Sequence, residues 1–341
     1  MKHILTLLLA FAFFTGFSQS TYRFLESTDP LEEKWVNDIF NSMTEDEKIG
    51  QLMNIRAHSD KGPEHIAKVE NLIKKYHVGG LTFFQGTVEK QAQLTNNYQK
   101  LSKIPLMVAM DAEWGLGMRL KSSSISYPRN LMLGSIQDNS LLYDFGAQMA
   151  EEFKRIGVHV NYAPVADVNN NPKNPVINTR SFGEDRYNVA VKSYMTMRGM
   201  QDNQILACAK HFPGHGDTDT DSHYALPTIQ HDLQRLDSIE LFPFKILAEQ
   251  GIGSMMIAHL HVPSIDPTPG LPTSLSPIAV RKRLIEDMNY KGLIFTDGLG
   301  MKGVREQYKN GEIEALALAA GNDILLLPQD MEAAFSEIKR Y

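Results

Sequence analysis

The chain has 341 residues, 43% of them hydrophobic and 22% charged, with a formal net charge of −6. That length and apolar share allow a large buried core, in one big domain or two smaller ones, and exclude a disordered or fibrous chain. No broad basic character or block of like charge points to nucleic acid as a partner.

The first element is a leader. MKHILTLLLAFAFFTGFSQS places Lys2 and His3 before an uncharged run from Ile4 to Phe14, followed by small and polar residues. This is the layout of a secretory signal peptide over residues 1–19, with cleavage near Ser18 or Gln19, and it implies a periplasmic or secreted protein. The apolar run is short for a membrane span, and nothing later in the chain reaches spanning length. The one cysteine, Cys208, excludes an intrachain disulfide. It sits in the apolar run ILACAK and reads as a small buried hydrophobe rather than a nucleophile.

Residues 20–43 form a lead-in. Leu31, Trp35, Ile39 and Met43 fall at helical spacing, and Thr44 with Glu47 spells a capping box. From there short β-rich apolar runs occur at 51–56, 78–84, 105–110, 158–165, 205–212, 253–259, 292–296 and 323–328. Helix-compatible stretches separate them, among them HIAKVENLIKKY, LLYDFGAQMAEEFKRIG and NVAVKSYMTMRGMQ. Alternation of this kind predicts parallel strands joined by crossovers. About eight strands, apolar nearly throughout, fit an α/β fold of the (β/α)8 TIM-barrel type over residues 44–341. The chain ends inside the last barrel helix, so it is either a minimal single-domain barrel or one truncated before a further C-terminal domain.

Barrel active sites form at the carboxyl ends of the strands, and these strand ends carry unusual chemistry. Asp111 and Glu113 follow the third strand, and Asp167 and then Arg180 the fourth. KHFPGHGDTDTDSH, from Lys210 to His223, follows the fifth; His259 and His261 follow the sixth, and Asp297 the seventh. Together they predict a polar, acid-rich pocket for a neutral, hydroxyl-bearing ligand. In the long loop, Pro213 and Gly214 break any helix between His211 and His215, against a zinc-helix geometry. Counted from Asp217, Ser222 and Thr228 stand where a calcium loop needs Gly and Glu. A loop of capping and turn residues accounts for the Asp and Gly but not for three histidines. An acid/base loop accounts for both: in an extended segment Asp221 and His223 share a face, and the carboxylate would orient and charge the imidazole. Gly298, Gly300 and Gly303 spell G-x-G-x-x-G in FTDGLGMKG, but the acidic residue a dinucleotide site needs, Asp323, starts its strand instead of ending it. Those glycines read as room for a tight turn and for close substrate approach.

KHFPGHGDTDTDSH resembles the signature of family 3 glycoside hydrolases of the β-N-acetylglucosaminidase (NagZ-like) type. DAEWGLGMR, NTRSFGED and TDGLGMKGV resemble that family's other segments, in the expected order, over roughly residues 44–330. The resemblance implies a (β/α)8 barrel and a retaining mechanism. It makes Asp297 the nucleophile and His223 the acid/base, with Asp221 as its partner. It assigns substrate binding to Asp111, Arg119, Arg180, Lys210 and His211, and leaves Glu113, Asp167, His215, Asp217 and Asp219 as supporting residues. It calls for no cofactor and no metal. The implied partner is an oligosaccharide containing N-acetylglucosamine, from peptidoglycan or chitin. Trp114, Leu116 and Gly298 depart from the family pattern and touch pocket shape. The alternatives are a family 3 enzyme of other sugar specificity, a phosphorolytic variant, or a non-catalytic sugar-binding barrel.

Overall fold

The structure, a computed structural model, describes residues 29–341 except 123, 223 and 306. The expected signal peptide lies outside the described residues. Among those described, no helix is long and apolar enough to cross a membrane.

Eight strands form as the apolar runs predict: β1 Met53–Ala57, β2 Gly80–Phe83, β3 Met107–Met110, β4 Val160–Asn161, β5 Leu206–Phe212, β6 Ser254–Ile257, β7 Leu293–Thr296 and β8 Leu325–Leu326. All neighbouring strands run parallel in the order β7-β6-β5-β4-β3-β2-β1-β8. The ring closes between β7 and β8, where the N–H of Thr296 bonds to the carbonyl of Ile324 and that of Ile324 to Ile294. A helix follows each strand, from Gly62–Tyr76 after β1 to Met331–Arg340 after β8. Local chemistry sets their ends. Thr44 and Glu47 form the reciprocal capping box ahead of the first strand. Thr87, Asp185 and Asp330 each accept a backbone N–H of the helix they open. The helix Gly62–Tyr76 has Pro near its start and Lys74 and Lys75 in its last turn, in keeping with its dipole. The lead-in helix Pro30–Ser42 also forms, but buries no residue; Leu31, Trp35 and Phe40 are exposed on it.

Strand side chains alternate between two cores. Met53, Ile55, Ala57, Val108, Met110, Ala207 and Ile294 pack outward under the helices. Ala109, Val160, Cys208, Met256, Phe295 and Leu326 fill the barrel lumen. Cys208 is fully buried, and burial pushes its thiol up to about 12, so it serves as packing. Because the side-chain period of a strand is two, the lumen side of each strand is a fixed parity of residue numbers. Continuing that parity past the packed lumen places Asp111 beyond Ala109, Lys210 beyond Cys208 and Asp297 beyond Phe295. The polar site is the next storey of an apolar column.

Candidate active site

A cavity of about 410 Å³ opens over the lumen core at the carboxyl ends of the strands. Asp111, Arg119, Arg180, Lys210, His211 and Asp297 all line it, so six of the eight residues expected from the sequence meet in one place.

Asp111 is held from two sides. Lys210 Nζ donates to its Oδ1 and Arg119 Nη2 to its Oδ2, both at 2.5 Å, and Arg119 Nε donates to its backbone carbonyl at 2.8 Å. Behind it Glu113, 1% exposed, takes Lys210 Nζ at 2.8 Å and Arg180 Nη2 at 2.7 Å on Oε1. Burial pushes both carboxyls up, but the adjacent cations outweigh it and hold them below the usual carboxylate range. Burial likewise depresses Lys210, and Asp111 and Glu113 reverse it, so the ammonium stays charged although only 1% exposed. A second clamp starts at Asp167, 0% exposed. It accepts from the backbone N–H of His211 and His215 and lies 2.7 Å from His211 Nδ1. That contact fixes which face His211 presents; its Nε2 lies 3.3 Å from Arg180 Nη2.

Asp297 stands at the end of β7. Its Oδ1 accepts the N–H of Gly298 at 2.7 Å, and its own N–H joins the ladder to Ile257. Burial raises its carboxyl, while His211, His259, the Gly298 N–H and Lys210 lower it by more, so it is held as a carboxylate. A partly buried, ionised carboxylate facing a polar cavity is what a nucleophile requires.

The long loop after β5 is ordered by its own polar groups. His215, 1% exposed, lies 2.9 Å from both Ser222 Oγ and Thr218 Oγ1. Burial and the charge of His211 bring its pKa down to about 4, so it is a neutral connector between two hydroxyls. Asn174 donates to the carbonyls of His215 and Gly216. The carbonyl of Asp221 accepts from the N–H groups of Tyr224 and Ala225. His223 itself lies outside the described residues.

Two expectations change. A Cβ at Gly303 would come within 2.6 Å of the Ala225 carbonyl oxygen and 2.7 Å of that of Ser222. The third glycine of FTDGLGMKG therefore admits the loop after β5, not the substrate. Trp114, expected to touch pocket shape, does not line the cavity, and its ring is covered by Arg129 at 4.0 Å. Asp217, His231 and Glu240 offer ligand atoms within 4.8 Å of one another. Arg235 already provides the cation there, with Nη1 at 2.7 and 2.8 Å from the two Glu240 oxygens.

Sequence reasoning missed Arg56 and Phe84, which also line the cavity. Arg56 lies inside the apolar run of β1 and Phe84 carries no polar group, so neither stands out beside the acids and histidines that follow the strands. Lumen parity, Asn54 to Arg56 and Thr82 to Phe84, is the signal that finds them.

The sequence profile of the glycosyl hydrolase family 3 N-terminal domain matches residues 44–340. The chain is 31% identical over 296 residues to beta-hexosaminidase A of Pseudoalteromonas piscicida, covering 80% of this chain and 49% of that one. It is 30% identical over 283 residues to a beta-hexosaminidase of Nitrosospira multiformis, covering 80% of each. A solved family 3 beta-N-acetylglucosaminidase from a Paenibacillus species superposes with a TM-score of 0.81 at 33% identity, over 87% of this chain and 58% of that one. The chain thus spans about half the length of the first relative and under two thirds of the solved structure. With its barrel closed and its motifs gathered on one cavity, the chain belongs to glycosyl hydrolase family 3.

Proposed function

We propose that the chain is an exported exo-β-N-acetylglucosaminidase that releases terminal β-linked N-acetylhexosamine from peptidoglycan or chitin fragments with retention. The observation that carries this reading is Asp297: an ionised, partly buried carboxylate on the wall of the cavity that also holds the clamped Asp111. Asp111, fixed between Lys210 and Arg119, keeps acceptor capacity for sugar hydroxyls. Asp297 attacks the anomeric carbon and forms a glycosyl ester as the leaving oxygen takes a proton from His223. Water, deprotonated by His223, then breaks that ester and releases the sugar. Asp221 serves as the partner of His223. The relatives named for hexosaminidase activity support the N-acetylhexosamine substrate, and the leader-like N-terminus supports export.

The test is hydrolysis of an aryl N-acetyl-β-glucosaminide beside the aryl β-glucoside. The N-acetylated substrate is expected to dominate. Asp297→Asn is expected to lower kcat by on the order of 10⁴-fold or more. Comparable rates on the two sugars would refute the substrate, and an unchanged rate in Asp297→Asn would refute the nucleophile.

A further inference from the structure

Arg56 is the second lumen-facing residue of β1. Met53, Ile55 and Ala57 point outward and are at most 3% exposed, and Asn54 points inward and is 0% exposed. Arg56 alone on this strand is solvent-accessible, and what it reaches is the cavity. Its guanidinium carbon lies 4.2 Å from the centre of the Phe84 ring, and that of Arg119 lies 5.1 Å from the same ring. Stacking on one aromatic surface holds both groups. The two differ in their partners. Arg119 is bound to Asp111, whereas Arg56 has no ion pair or hydrogen bond from its guanidinium among the described residues.

The nearby carboxylates do not serve it. Asp111 is engaged by Lys210 and Arg119, Glu113 by Lys210 and Arg180, and Asp297 by the Gly298 N–H. The charge of Arg119 disfavours a second guanidinium beside it at Arg56. Binding an anion relieves it.

Resting on the hydrolase reading above, we propose that Arg56, stacked on Phe84 beside Arg119, forms a subsite for an anionic group, a carboxylate carried by the leaving-group portion of the substrate. A free phosphate offers the same chemistry to the same fork. There its oxygen would bond to the anomeric carbon as the Asp297 ester breaks, giving a glycosyl phosphate.

Two aryl N-acetyl-β-glucosaminides separate these cases, one bearing a carboxylate on the ring and one the isosteric carboxamide. The readout is the ratio of their kcat/KM values. The full chain is expected to favour the carboxylate by about tenfold or more, the scale of a charge-assisted bidentate contact. Arg56→Gln is expected to bring that ratio near one, and Arg56→Lys to leave it intermediate, with thermal melting as a check that each variant folds. Phosphate replacing chloride at equal ionic strength forms the second arm. Acceleration with glycosyl phosphate as product, lost in Arg56→Gln, assigns the same site to free phosphate. A ratio unchanged by Arg56→Gln, with no phosphate effect, overturns the subsite. If neither aryl substrate turns over, the hydrolase reading fails by itself. Calorimetric titration of the two N-acetylglucosaminides then still decides the anion preference from binding alone.

Discussion

Glu113 and Glu314 are both almost wholly buried, 1% and 4% exposed, yet their carboxyls are driven in opposite directions. At Glu113 burial is outweighed by Arg180 and Lys210, and the group stays ionised. At Glu314, on the helix Glu312–Ala320, burial dominates. Backbone N–H groups and Arg305 offset only part of it, and the carboxyl is raised. Burial marks both residues equally. What marks the site is the set of cations that β5 and the loop after β4 bring to Glu113, which keeps negative charge in a place from which water is largely excluded.

The contrast breaks most sharply with Glu113→Gln. That change leaves Lys210 and Arg180 sharing one fewer carboxylate in a buried cluster, and it is expected to cost about 3–5 kcal/mol in denaturant unfolding. A loss within about 0.5 kcal/mol would show that the cluster is not coupled to stability.

Acidity gives the next effect. Asp111, Glu113, Asp167 and Asp297 all have lowered carboxyls. Their contribution is complete above the ordinary carboxylate values of about 4 and is lost as pH falls through the depressed folded ones. Unfolding midpoints measured from neutral pH downward are therefore expected to fall below about pH 4. Glu113→Gln should flatten that slope, and a wild-type midpoint independent of pH in that range would contradict the assignment.

Glu314 carries the opposite sign and the smallest effect. Its raised carboxyl contributes fully below its ordinary value and loses that contribution as pH rises through the folded one. Glu314→Gln is expected to add up to about 1 kcal/mol at neutral pH and little near pH 4. Destabilisation at neutral pH would show that Glu314 is ionised and paired after all.

Much of this was legible in the residues. Each of the eight apolar runs overlaps a strand, and Asp111, Lys210, His211 and Asp297 at or just past the ends face one cavity, because a strand covered on both sides must be apolar until it emerges. In FTDGLGMKG, Asp297 faces the cavity just ahead of the glycines that spell a dinucleotide turn. Arg56 escaped because an arginine in an apolar run carries no distinctive spelling; only its parity with Asn54 separates it from a surface charge.

The sequence by itself determined the strands, their helices and the lumen side of each strand, since period and capping are local properties of the chain. Tertiary structure alone decided the partners. Lys210 meets Asp111 across 99 residues and Arg180 meets Glu113 across 67. Each comes from a different strand or loop, and which cation reaches which carboxylate is fixed only when the barrel closes. Ionisation followed from that closure, because the same burial that raises a lone carboxyl stabilises a charged one only where a cation is packed against it.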